Sequence, residues 1–342
     1  MYILEIMAGN TIGKVFRLTT FGESHSDFVG GVIDGCPAGL TIDLDFINSE
    51  IQRRKPTQKD ISTPRNEKDK VVFVSGIENN ISLGTPIAFF VKNENFRKED
   101  YKELEDLFRP SHADFTYNRK FGINASSGGG RASARETISR VVGGSIAKLL
   151  LKHKANIIIN AQIEKIGNWD YSTQREEIEK EFEKLNREGD SLGGTITCEI
   201  KNMPIGLGEP VFDKLSADLA KAMLSIPSVK AFEFGDGFKG CMEYGSEQMD
   251  NWNEDFSTKT NHSGGIQGGI SNGMDVFFRV GFKPISTLYR EVSCIDKEGE
   301  IHKIENKGRY DKCIVPRSIV IVESMAALTI ADHLLRSYTN KI

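Results

Sequence analysis

Apolar residues recur along the chain in short runs rich in Val, Ile and Phe, bounded by Gly, Pro or Asn. These runs predict strands over 14–21, 31–42, 71–77, 86–91, 157–162, 195–200, 274–281 and 318–322. Between them the apolar spacing turns helical. It predicts helices over 44–54, ending before Pro56, and over 134–153, where Ile138, Val141, Val142, Ile146, Leu149 and Leu150 recur at helical spacing. Further helices are expected over 172–188, amphipathic and so charged that it reads as a solvated surface helix, and over 213–224 and 323–338. Strands often follow one another directly, so the pattern points to a mixed α/β or α+β fold with antiparallel pairing. No linker or internal repeat divides the chain, which makes residues 1–342 one large domain.

Composition narrows the function more than the fold. With 39% hydrophobic and 27% charged residues, the chain has the make-up of a soluble globular protein. Its net charge of -4 gives no general attraction to nucleic acid or an anionic membrane, so functional basic residues must form a local cluster. No apolar run approaches the ~20 residues that span a bilayer. The first ten residues lack the basic start and apolar core of a secretory signal. Five scattered cysteines with no C-x-x-C pair argue against a disulfide framework or a zinc site and suit a reducing cytosol.

Four segments are glycine-rich or polar where a structural chain would be apolar. Thr19–His25 closes a strand with a histidine, a residue that titrates near neutrality and suits proton transfer. Arg109-Pro110-Ser111-His112-Ala113-Asp114 puts a cation, a proton donor and a carboxylate in six residues, and Pro110 makes it an ordered loop. Gly128-Gly129-Gly130-Arg131 leads into the 134–153 helix, whose N-terminus favours anions, and Arg135 adds bidentate donors. This is the strongest signal in the chain, and it points to phosphate or carboxylate. The fourth segment pairs glycines around 264–269 with Lys283–Thr287 and 308–311, which suits a flat ligand held by backbone. Gly269-Ile270-Ser271-Asn272-Gly273 fits G-x-S-x-G, but a β-rich run follows where a nucleophile elbow needs a helix, so a serine hydrolase is excluded. No metal site is expected.

Together and in this order, these blocks resemble the chorismate synthase family from Met7 through Arg336, nearly the whole chain. The resemblance implies an α+β single domain with helices sandwiched between antiparallel β-sheets, assembled as a homotetramer in the cytoplasm, and makes residues 1–6 an N-terminal extension. It implies a lyase of the shikimate pathway that removes phosphate from 5-enolpyruvylshikimate 3-phosphate (EPSP) by anti-1,4-elimination to give chorismate. Reduced FMN is required without net redox change. By similarity, His25 attends the departing phosphate, His112 protonates the reduced flavin near N1, and Asp311 with Ser24 manages the proton at N5. The FMN contacts implied are Arg131, Ala132, Ser133, Pro227, Ser228, Gly268, Lys283, Pro284, Ile285, Ser286, Thr287 and Arg309. The substrate arginines are Arg54, Arg109 and Arg135. The source of electrons stays open between NADPH and an external flavin reductase. Asp60, where the family often has an arginine, favours the latter. The chain also departs from the family at Ser26, Ser111, Tyr310 and Lys312. The competing readings are a flavin oxidoreductase, which would consume reduced cofactor, and a silent FMN-binding paralogue.

Overall fold

The computed structural model describes residues 9–24, 26–55, 69–93, 106–123, 129–305 and 311–340. Its frame is two five-stranded sheets. The first runs in the order Thr11–Ile12, Arg17–Phe21, Phe28–Asp34, Ile87–Lys92, Val71–Ser75. The second runs Trp169–Asp170, Ile158–Ile166, Gly194–Lys201, Val276–Phe282, Val229–Phe234. Every pairing within both is antiparallel, as the directly consecutive strands suggested. Alternation places one face of each strand inward: Phe278 and Val280 are buried while Phe277 and Arg279 are not.

Helices fill the space between the sheets. Thr137–Ala155 lies on the Phe28–Asp34 strand of the first sheet, and Val315–Ser337 lies on Ile158–Ile166 and Gly194–Lys201 of the second. These two helices pack against each other, flanked by Leu44–Arg53 and Leu215–Leu224. Arg175–Glu188 buries only Ile178, Phe182 and Leu185, so the solvated-helix reading holds apart from that stripe.

Two expectations fail, for one reason. Residues 318–322 are not a strand but the first half of a helix that begins at Val315, with Pro316 in its first turn. The same helix is long and apolar enough to cross a bilayer, although no apolar run of that size was expected. It is almost wholly buried inside the protein, so it is a core helix, apolar all round. A buried helix and a buried strand both read as continuous Val and Ile, and periodicity does not separate them. The strand expected over 31–42 ends at Asp34, where the chain turns through Gly35.

The helix pair meets at small residues. A Cβ added at Gly144 would sit 2.3 Å from Ser324 Cβ and 2.5 Å from its Cα, whereas one at Gly143 would meet only the flexible end of Leu18. Gly144→Ala is therefore expected to destabilise by roughly 1–3 kcal/mol of overpacking, more than the ~1 kcal/mol of helix propensity it gains. Gly143→Ala should cost less. Urea midpoints of the two variants test this, and the reverse ranking would refute it.

Candidate active site

The 109–113 loop stands between the Leu107–Phe108 strand and the Asp114–Phe121 helix, so Pro110 excludes a helix only as far as Ala113. Ser111 has a φ of 58°, in the left-handed region that favours glycine. Arg109 grips Asp114 with two hydrogen bonds, Nε to Oδ2 at 2.7 Å and Nη2 to Oδ1 at 2.9 Å. His112 Nδ1 lies between the two, 3.2 Å from Arg109 Nη2 and 3.4 Å from Asp114 Oδ1. Guanidinium can only donate and carboxylate only accept. Neutral His112 therefore accepts from Arg109, with its proton on Nε2, and the imidazolium turns to Asp114. Burial opposes ionisation of Asp114, but the hydrogen bonds from His112 and Arg109 outweigh it and hold the carboxyl well below its usual range.

The 283–287 loop is anchored to this histidine loop. Lys283 Nζ and Ser286 Oγ both donate to the Ser111 carbonyl, at 3.2 and 2.9 Å. The Lys283 N–H bonds the Ser228 carbonyl, which brings residues 227–228 alongside. Burial, then the charge of Lys230, lowers the Lys283 pKa. Ser191 Oγ donates to the Ile285 carbonyl, and the neighbouring Leu192 N–H donates to Lys312, next to Asp311.

Across from them stands the glycine loop. Gly129 has a φ of 101°, and a Cβ there would lie 3.8 Å from His112 Cε1, so the loop passes near the histidine with room for a side-chain atom between them. The glycines do not run straight into the helix as expected; two 3₁₀ turns, Gly130–Ala132 and Ala134–Glu136, come first. They aim Arg131 back at the first sheet, where it donates to Gly22 O, Thr20 O and Thr20 Oγ1. Ser133 Oγ caps the second turn by accepting from the Arg135 N–H.

Arg135 and Arg54 are buried and converge on Asp69: Arg135 Nη1 is 2.6 Å from Oδ1, and Arg54 Nη1 is 3.6 Å from Oδ2. Arg135 Nε also bonds Asn93 Oδ1, and Asn93 Nδ2 donates to the carbonyls of Glu23 and Ser26. Asn93 thus ties Glu23 to Ser26; His25 and Arg309 lie outside the described residues. Ser24 is buried within the same clamp. Arg54 Nη2 donates to Ala134 O, and the Arg54 carbonyl accepts from Arg317, which also holds Asp311.

Hydrogen bonds and short chain segments therefore link Ala134, Arg54, Arg317 and Asp311, and lead on through residues 312, 191–192 and 283–286 to Ser111 and His112. Gly268 lies off this chain of links. The adjacent Gly269 carbonyl bonds Leu215 at the start of the Leu215–Leu224 helix, while Ser228 follows that helix's end. Ten helical residues separate the two by about 15 Å. Ser271 is buried, its hydroxyl spent on Pro204 O and the Leu207 N–H, which fits the exclusion of a hydrolase. Asp296, Glu300 and His302 come within metal-ligand range of one another on a hairpin turn, a grouping their sequence spacing did not suggest. Asp296 there caps the turn by accepting from the Glu298 and Glu300 N–H groups.

Arg317, Asn93, Asp69 and Glu136 are the site residues that sequence reasoning missed. Thr20, which donates to Glu136, carried a signal: it is the polar member of the inward-facing series Phe16, Leu18, Thr20.

Fold and site define an α+β protein in which arginines, buried carboxylates and a histidine are brought together from distant segments. A family model described as chorismate synthase matches residues 16–335. A chorismate synthase of Christiangramia forsetii is 51% identical over 98% of this chain and all of its own. One of Flavobacterium psychrophilum is 49% identical over 96% of this chain and 98% of its own. A crystal structure of chorismate synthase superposes with a TM-score of 0.74 at 26% identity, covering 96% of this chain and 94% of that one. The chain belongs to the chorismate synthase family.

Proposed function

We propose that the linked segments described above border the place where EPSP and reduced FMN meet. The activity is that of the family: a carbon–oxygen lyase acting on phosphate, forming chorismate in the shikimate pathway of aromatic amino acid biosynthesis. The observation that carries the site is the chain of links that joins His112, Asp311 and the segments bearing Arg54, Arg109 and Arg317.

The residues present fit both ligands. EPSP brings two carboxylates and a phosphate, and Arg54, Arg135 and Arg109 line the cleft. Arg54 and Arg135 converge on Asp69, which sets two guanidinium groups side by side where an anion would be received. Arg131, Ala132 and Ser133, with Pro227, Ser228 and the 283–287 loop, flank His112 on the side that suits a flavin and its phosphate. Arg309 joins them, and Gly268 enters only from a second copy of the chain or after movement of its hairpin. Reduced FMN, when bound, supplies a transient electron donation that leaves no net redox change. His112 delivers a proton from Nε2, held in place by Arg109 and Asp114. Asp311 and Ser24 hold a second proton on the opposite wall, and His25 attends the leaving phosphate.

The electrons come from an external flavin reductase or from NADPH. The chain assembles as a homotetramer in the cytoplasm, a reading supported by free cysteines and by Phe238, Met242, Tyr244 and Phe256, each at least 74% exposed. The test of function is anaerobic turnover of EPSP with chemically reduced FMN. Equal release of chorismate and phosphate with no flavin oxidised is the expected result; oxidation of one flavin per product would replace the lyase with an oxidoreductase.

A further inference from the structure

Arg317 stands in the first turn of the Val315–Ser337 helix, two residues after its start and beside Pro316. A cation there faces the positive end of the helix dipole, which disfavours it. Local rules broken in this way tend to mark functional sites. The compensation is specific: Arg317 Nη1 donates to Asp311 Oδ2 at 2.5 Å, and its Nε donates to the Arg54 carbonyl at 3.2 Å. Both side chains of the ion pair are largely buried, at 15% and 11% exposure, so the contact is shielded from bulk water. One rigid guanidinium plane thus spans the end of the Leu44–Arg53 helix, the Asp311 segment and the C-terminal helix.

We propose that Arg317 is a positioning residue for the elimination: it fixes the Asp311 carboxylate and locks it to the backbone of the substrate-binding Arg54. The inference rests on the reading of Asp311 as a proton-handling residue. Because Arg317 reaches Asp311 and Arg54 from one guanidinium, binding of the substrate anions at Arg54 and proton transfer at Asp311 share a single mount. A small misplacement of a reacting group costs up to about a hundredfold in rate. A lysine has one donor centre and cannot reproduce two divergent, coplanar contacts.

The experiment compares Arg317→Met, Arg317→Lys, Asp311→Asn and the Arg317→Met/Asp311→Asn double variant in anaerobic turnover with reduced FMN. Arg317→Met should lower kcat by roughly ten- to a hundredfold, and Arg317→Lys should recover only part. Millimolar guanidinium should restore the Met variant, a rescue that a purely structural role would not show. In the Asp311→Asn background the second substitution should add nothing, because the two act as a unit. Full turnover of Arg317→Met alongside an inactive Asp311→Asn would overturn the positioning role alone. Full turnover of Asp311→Asn would instead remove the reading on which it rests. Additive losses without guanidinium rescue would make Arg317 a structural residue and also overturn the proposal.

Discussion

His112→Ala is expected to lower kcat by about 10²–10⁴-fold, the range for loss of a positioned general acid or base, with little change in the KM for EPSP. The split follows from where the imidazole sits. Arg109 keeps its two bonds to Asp114 without the ring, so the loop that carries the arginine stays in place. What disappears is the imidazole near Gly129, the proposed proton donor. The Asp114 carboxyl is depressed by His112 and Arg109 against the effect of burial, so its negative charge persists through the neutral range and stands ready to receive the imidazolium. Asp114→Asn should therefore also slow turnover, but less, because Arg109 still reaches Nδ1. Rapid-quench turnover under anaerobic conditions reads both. Wild-type kcat in the alanine variant would take His112 out of the chemistry.

The part of this site legible in the sequence was the part built from local chemistry. Pro110 and the left-handed Ser111 shape the histidine loop within six residues, and glycines with Arg131 and Arg135 announce an anion. The clamp around them was not legible, because it is made at a distance. Asn93 reaches back about seventy positions to Glu23 and Ser26, and Asp69 pairs with an arginine 66 residues on. No pattern of spacing reports such pairs without knowing that Phe28–Asp34 and Ile87–Lys92 are neighbours. The fold class was legible for the opposite reason: consecutive strands without long crossovers can pair only antiparallel. The C-terminal helix was half lost because its β-branched first half is buried on every side, which erases periodicity. Its charges were the overlooked clue. Glu323, Asp332 and His333 sit in an otherwise apolar stretch, and each is buried with a partner.

Glu323 gives the largest expected loss of stability. Its carboxylate accepts from Arg53 Nη1 and Nη2 at 2.7 and 2.8 Å, from Lys148 Nζ at 2.6 Å and from the Ala161 N–H at 3.1 Å. Glu50 closes the group by pairing with the same arginine and lysine. Two carboxylates and two cations balance, and they tie three helices to the second sheet. Removing Glu323 leaves Arg53 and the largely buried Lys148 with one carboxylate between them, so Glu323→Ala should destabilise by about 3–5 kcal/mol, against a total of about 5–15 kcal/mol for a whole protein. Replacing all four by apolar residues of similar volume should cost far less, since the desolvation penalty goes with the charges. The pH dependence has a definite sign. Burial would raise the Glu323 pKa, but the hydrogen bonds and charges of Arg53 and Lys148 outweigh it and hold it below the ordinary glutamate range. A group depressed on folding stabilises fully above its unfolded pKa, and that contribution is lost as pH falls through the lower folded value. Wild-type stability should thus decline as pH falls below the unfolded glutamate pKa of about 4.3, and Glu323→Ala should lack that share of the decline. Urea unfolding at pH 7 and pH 4 measures both effects. Equal midpoints for wild type and Glu323→Ala at pH 7 would mean that the four charges cancel without stabilising the fold. Arg53 would then serve only to cover its neighbour Arg54, which the same helix end turns inward to the site.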